Sequence, residues 1–355
     1  MEEQKAPDIS TIPFEFTGKA GEYFKIWIVN ISLTVLTLGI YSAWAKVRKK
    51  RYFYGNTLLQ NAPFEYLADP IKILKGRLIV FGIFVTYTIA MNYIPWTSAL
   101  FGLLFLALFP WVVIKALSFK TRNSSYRNIR FDFRATYGEA MGVFIGIGAI
   151  LVGATLGFAY PYFAYRRSKF VMDHSGYGKT PFVFSGQVKS FYFVYLVVAV
   201  FVIIGALFVM IFVPQFIFPQ MATQPPDEPT IGLAVKMILP FLLGLGLLVY
   251  LPVFAYIKTA ITNLVWSNTL LGNHRFKSTL QTSRMIWLYL SNAVAIVISL
   301  GLLIPWASIR MARYRLDNLK LLAADQLDGF VASEQEKVGA AGEEISDFFD
   351  FDVGI

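Results

Sequence analysis

Four times along this chain an aromatic ring is followed by arginine or lysine four or seven residues later. Trp44 is followed by Arg48 and Arg51, Trp111 by Lys115, Tyr162 by Arg166 and Lys169, and Trp306 by Arg310 and Arg313. Those offsets put the cations on one helix face. Each ring closes a long apolar run, which suits a membrane–water interface where the ring sets depth and the cations meet lipid phosphate. The chemistry is binding of anionic head groups or of a partner; the plainer alternative is topology anchoring. Other reactive groups are sparse. The two histidines, His174 and His274, have no carboxylate or histidine at metal-ligand spacing. No Gly-rich phosphate loop, nucleophile elbow or H-E-x-x-H is present. The chain is therefore not read as an enzyme, and no catalytic residue, metal site or cofactor is expected.

These pairs belong to a repeated cassette. Twelve residues after Trp44 stands Asn56, and eight beyond it Phe64. The same offsets lead from Trp111 to Asn123 and Phe131, from Tyr162 to His174 and Phe182, and from Tyr256 to Asn268 and Phe276. Trp306 leads to Asn318, after which the pattern stops. Asn56, Asn123, His174, Asn268 and Asn318 fit helix C-termini, since Asn tolerates the left-handed conformation that ends helices. Between the cap and the Phe, Gln60-Asn61, Arg127-Asn128, Gly178-Lys179 and Gly272-Asn273 read as the centres of two-residue hairpin turns. Phe14-Glu15-Phe16 is the same returning strand without its partner, and Asn318 marks the complementary half. A small shared sheet or ring of hairpins on one surface is the expectation.

Composition sets the class. The chain has 355 residues, 56% hydrophobic and 15% charged, with mean hydropathy +0.55; a soluble domain carries roughly 25% charged residues. No cysteine is present, so disulfides and thiolate metal sites are excluded. Residues 321–355 hold nine acids and one lysine, a net −8, so the remainder carries +18 against the chain's total of +10. Basic surfaces beside apolar segments are typical of cytoplasm-facing loops. The chain divides into a repeated membrane domain, 1–320, and an acidic, flexible cytoplasmic tail, 321–355.

Apolar segments of span length run over about 23–43, 78–96, 98–114, 140–160, 191–218, 231–250 and 285–304. The expected fold is an all-α polytopic membrane protein with about seven apolar helices in five repeated cassettes, and short β-hairpins after the helices. Segments one, four and seven share Thr37-Leu38-Gly39, Thr155-Leu156-Gly157 and Ser299-Leu300-Gly301. Two topologies stay open. Run length favours seven full spans, which would put basic cassettes on both faces. The charge rule favours single segments that turn back near Leu-Gly, with every cassette cytoplasmic; such a turn should need burial in protein. Asn30 and Asn292, fourteen residues before their anchors, are candidate intramembrane polar residues that face a ligand or make an interhelical hydrogen bond.

TLGIYSAWAKVRKKRYFYGNT, the F-x-F strands, WSNTLLGNHRF and the closing FFDFDVGI resemble the YjgN family of bacterial inner-membrane proteins. The resemblance implies the bacterial inner membrane and several helices, and it transfers no catalytic or binding residue. The function expected is that of a non-enzymatic scaffold or anionic-lipid-interacting protein; the alternative is a transporter or channel for an uncharged or amphiphilic solute. Partners are membrane lipids and a cytosolic protein held by the acidic tail, with no nucleic acid; the sequence leaves the oligomeric state open.

Overall fold

The cassette folds as a helix running into a two-stranded hairpin, and the hairpins pair with one another. The computed structural model describes residues 10–94, 96–222, 249–324 and 327–345. Its strands are β1 (Ser10–Phe16), β2 (Thr57–Leu59), β3 (Ala62–Tyr66), β4 (Ser124–Tyr126), β5 (Ile129–Phe133), β6 (Ser175–Tyr177), β7 (Thr180–Phe184), β8 (Thr269–Leu271), β9 (His274–Ser278) and β10 (Leu319–Ala323). All neighbours are antiparallel, and the ten strands close into a barrel. The two half-cassettes at the chain ends supply the fifth pair: β1 lies against β10 with Ile12 opposite Leu321. Closure leaves no strand edge unpaired. The turns carry the positive φ that tight hairpins require, 48° and 58° at Gln60-Asn61 and 47° and 66° at Arg127-Asn128.

Strand alternation aims Phe14, Phe64, Phe131, Phe182 and Phe276 into the barrel. Successive ring centroids from Phe14 to Phe276 lie 6.1, 6.4, 6.4 and 6.1 Å apart. These rings and Leu59, Ile129, Leu271 and Leu321 form the core.

The caps act differently from the sequence expectation. Asn56, Asn123 and Asn318 keep φ between −89° and −98°, outside the left-handed region. Their side-chain amides, and that of Asn268, donate to the carbonyl four residues back at 2.7–2.8 Å. His174 Nδ1 meets Phe170 O at 2.8 Å in the same way. The cap carbonyls accept the N–H just past the neighbouring F-x-F position: Thr17 on Asn56, Leu67 on Asn123, Arg134 on His174, Ser185 on Asn268 and Thr279 on Asn318. The cap thus joins helix to barrel, and this needs both a donor side chain and a non-helical carbonyl.

One barrel mouth is covered by the helix Leu327–Ile345. Leu327 and Val331 enter the core, and Phe330 packs on Tyr177 and His274 at 6.2 and 4.8 Å. Glu334 is fully buried. It accepts from Lys179 N–H at 2.8 Å, Thr180 N–H at 3.2 Å and Thr180 Oγ1 at 2.7 Å. Asp328 pairs with Arg127. The division at 320/321 therefore cuts through β10, and 327–345 is a docked helix where a flexible tail was expected. Asp328 and Glu334 are held by hairpin donors, an interaction that alternation and charge counts do not reveal. The aromatic-acidic residues 346–355 lie outside the described residues.

Every helical excursion leaves the barrel and returns to it. Among the described residues five helices are long and apolar enough to cross a membrane: Pro70–Tyr93, Thr97–Arg122, Tyr137–Ala154, Val188–Phe208 and Val249–Ser267. The first carries the segment 78–96 as far as Tyr93, the second carries 98–114, and the helix Val188–Ala222 carries 191–218. Segment 231–250 falls outside the described residues except at its end. The chain is thus a mostly helical polytopic membrane protein that carries a ten-stranded barrel.

Segments one, four and seven are not single helices. Ala20–Leu36 turns into Ser42–Gly55, Tyr137–Ala154 (π-helical over Met141–Leu151) into Tyr160–Asp173, and Thr282–Ile298 into Ile304–Asp317. The break falls at the Leu-Gly pair, where Leu38 and Gly39 have φ of 49° and 92°. One barrel holds all five strand pairs, so the five cassettes meet in one place. The turn at Leu38 is exposed and not buried in protein. The N–H groups from Thr37 to Ser42 are all satisfied locally, Tyr41 N–H by Thr37 Oγ1 at 2.9 Å and the others by carbonyls.

Candidate functional site: basic and aromatic cavities beneath the barrel

In the last hairpin, the spacing of Trp306, Arg310 and Arg313 keeps all three on one face of Ile304–Asp317, whose start is set by Pro305. They line one cavity of about 400 Å³. The opposite wall is Arg284, Trp287 and Leu288 of the descending arm, with Tyr314 and Asp317 near the barrel. Arg310 stacks over the Trp306 ring at 5.1 Å. It also donates to Ser291 Oγ at 2.6 Å and Asn292 Oδ1 at 3.2 Å. Arg313 donates to Gly18 O at 3.0 Å, tying the site to the chain's beginning. Burial pushes the Asp317 carboxyl up, and Arg313 opposes that shift. Three guanidinium groups thus share a cleft with one carboxylate and two indoles. Such a cleft can take a phosphate in bidentate fashion while the rings hold glycerol and upper acyl carbons.

The middle hairpin has a cavity of about 350 Å³ at the corresponding place, lined by Arg166, Lys169, Phe170 and the π-helical Gly142, Val143 and Ile147. Here acids are close by. Lys169 pairs with Asp173 at 3.0 Å, and His174 Nε2 lies 3.2 Å from Glu139. The structure therefore brings together two of the predicted groups, Trp306-Arg310-Arg313 and Arg166-Lys169-His174, in separate cavities.

The others lie apart. Arg51 donates to Tyr66 O at 3.3 Å and Ala68 O at 3.4 Å, so it ties helix to strand. Arg48 is exposed, and Trp44 and Tyr162 are half-buried. Lys115 sits 6.0 Å from the Trp111 ring within the long helix Thr97–Arg122. Asn30 and Asn292 do not form a shared polar site. Each donates at 3.5 Å to a carbonyl of the other arm of its own hairpin, Ala45 O and Ala307 O. Arg284 and Trp287 lie upstream of Trp306, on the arm before the turn, where the cassette spacing gives no marker. Their three-residue spacing at the start of an apolar arm is the signal that could have found them.

The family described as bacterial protein of unknown function (DUF898) matches residues 11–348. The Inner membrane protein YjgN of Salmonella typhimurium (strain LT2) is 28% identical over 91% of this chain and 91% of its own length. The protein of the same name from Escherichia coli (strain K12) is 32% identical over 36% of this chain and 33% of its own length. No solved structure matches significantly. The repeated cassettes, the apolar hairpins and these relatives agree: the chain is an integral membrane protein, and it belongs to the DUF898 family of bacterial proteins.

Proposed function

We propose that this protein is a non-enzymatic inner-membrane platform that holds anionic lipid head groups beneath its barrel, with barrel and C-terminus on the cytoplasmic side. The single observation that carries this reading is the cleft of Arg284, Arg310 and Arg313 between Trp287 and Trp306. Three cations are gathered there against Asp317 alone, at the end of apolar arms where lipid phosphate is the abundant anion. The net +18 outside residues 321–355 favours the cytoplasmic assignment. One closed barrel gives such a platform a common base for its apolar helices.

The reading as a transporter draws less support, because Asn30 and Asn292 are engaged within their own hairpins. A cytosolic protein partner for the acidic end is a subsidiary part of the proposal, resting on residues 346–355.

The test is mass spectrometry of lipid retained through purification in a mild detergent. The wild type should carry phosphatidylglycerol or cardiolipin well above its share of the membrane. Arg310→Gln/Arg313→Gln should lose that enrichment while still purifying as a folded, monodisperse species. Equal anionic and zwitterionic lipid in the wild type would remove the proposal.

A further inference from the structure

The three Leu-Gly tips are built alike down to single hydrogen bonds. In the middle tip, six successive N–H groups are all used. Thr155, Leu156, Gly157, Phe158 and Tyr160 donate to carbonyls, and Ala159 donates to Thr155 Oγ1 at 3.0 Å. The last tip repeats this with Leu303 on Ser299 Oγ at 3.0 Å. The first does so with Tyr41 on Thr37 Oγ1. Helix ends ordinarily leave donors for water or for capping groups. Here the Thr or Ser hydroxyl caps the returning arm, and no N–H of the turn is left for water.

The side chains carry the same message. Leu38, Leu156 and Leu300 adopt φ of 49°, 50° and 49°. Glycine or asparagine is the usual residue there, because a β-carbon is strained in that conformation. These leucines are 94%, 90% and 94% exposed. Leu36, Phe158 and Ile298 widen the apolar tip. A backbone with every donor satisfied, capped by strained and fully projecting leucine, fits hydrocarbon and is costly in water.

Depth follows from spacing. In all three hairpins the tip leucine lies six residues before the anchor aromatic and ten before an arginine: Arg48, Arg166 and Arg310. The returning helices begin four residues after that leucine, at Ser42, Tyr160 and Ile304, so the arginine stands only about six helical residues past the turn, a rise of roughly 9 Å and well within half of the roughly 30 Å hydrocarbon core. Pro70–Tyr93 and Thr97–Arg122, with 24 and 26 residues, have the length to reach the far side. Tyr137–Ala154 alone is also long enough. However, the tip it leads into brings Arg166 back within one leaflet's depth, so that hairpin stays within one leaflet too.

We infer that the three hairpins insert into the acyl chains of one leaflet only, the leaflet on the barrel's side. The protein thereby adds volume to that leaflet and acts as a wedge that favours membrane convex toward the barrel. This does not depend on which lipid occupies the arginine cleft.

The chain contains no cysteine, so Leu38→Cys, Leu156→Cys and Leu300→Cys each give a unique probe. In liposomes, a membrane-impermeant maleimide should label none of them from either face. A permeant bimane label on each should be quenched more strongly by lipids brominated near the chain end than near the head group. Labelling from the barrel face would put the tips in water, and labelling from the far face would mean full crossings; either result overturns the inference. For the wedge, the wild-type protein should be at least twofold denser in a nanotube pulled from a giant vesicle with the barrel outside. Equal density in tube and vesicle overturns that part.

Discussion

Beneath the last hairpin's cap, Arg284, Arg310 and Arg313 face one carboxylate, Asp317. Beneath the middle hairpin's cap, Arg166 and Lys169 face Glu139 and Asp173. The two cavities differ in volume by only about 50 Å³ (400 against 350) and occupy equivalent places in the cassette. The repeat thus sets where a cavity forms, through the cap, the returning arm and the Leu-Gly turn. A few side chains set what it attracts. In the middle cavity an ion pair of 3.0 Å and a histidine–carboxylate contact of 3.2 Å use the charges internally. In the last cavity the arginines are oriented by neutral groups, Ser291, Asn292 and Gly18. Neutral partners hold a cation in place without cancelling its charge.

The sharpest test compares the two cavities directly. Arg310→Gln/Arg313→Gln should cut retained anionic lipid about tenfold or more, since each lost charge-assisted contact is worth roughly 1.5–3 kcal/mol. Arg166→Gln/Lys169→Gln should change it by less than about threefold, or under ~0.7 kcal/mol. Equal losses would break the contrast. The next effect runs the other way. Glu139→Gln/Asp173→Asn unmasks the middle cavity while keeping an oxygen for Thr136 N–H and Phe184 N–H. Lipid retained per protein should rise roughly two- to threefold, a shift well under 1 kcal/mol. No rise would mean that geometry, not charge balance, separates the cavities.

Much of the barrel was legible. Asn56 to Phe64 and its equivalents gave the hairpins, and the orphan Phe14-Glu15-Phe16 and Asn318 pointed to a half-cassette at each end. Closure of β1 on β10 was not readable, because register across 300 residues leaves no local trace. The broken segments were half legible. Thr-Leu-Gly stood out, but twenty-residue apolar runs read as spans by length, and length cannot see a positive φ. At the candidate site, Trp306, Arg310 and Arg313 were found and Arg284 and Trp287 were not, since the second wall comes from the arm before the turn. Glu334 was missed for another reason. It lies in an acidic segment that reads as solvated, and only the fold brings the Lys179 and Thr180 donors to it.

Glu334 sharpens the comparison from the barrel side, because the turn it holds, Gly178-Lys179-Thr180, belongs to the middle cassette. Glu334→Gln puts an amide nitrogen where one carboxylate oxygen accepts a hydrogen bond. That should loosen the helix Leu327–Ile345 by about 1–3 kcal/mol. Limited proteolysis should then cut this helix faster while lipid bound at Arg310 stays unchanged. A parallel loss of lipid would show that lid and cleft are coupled, and the two regions could not be treated as independent.

The smallest effect extends the comparison to the first hairpin, where lysines crowd without an acid between them. Lys50 Nζ lies 4.5 Å over the Tyr66 ring and 3.4 Å from its hydroxyl. Burial first, then Lys46 and Lys120, bring its pKa down from 10.5 to about 8. The sign follows from the proton count. Below pH 8 both folded and unfolded chains hold the proton, and the fold carries the full penalty of a buried cation. Between 8 and 10.5 the folded chain has released the proton and the unfolded chain has not, so stability rises with pH. Above 10.5 neither holds it and the gain is complete. Lys50→Met removes this term and leaves the other titrations in place. The difference between wild-type and Lys50→Met melting temperatures should therefore shift in favour of the wild type across that window. Its size should be on the order of 1 kcal/mol or less, because solvent near the group screens it. A flat difference, or one that moves against the wild type, would mean that Lys50 already finds compensating solvation at the barrel rim. The charge contrast among the hairpins would then be confined to the middle and last cavities.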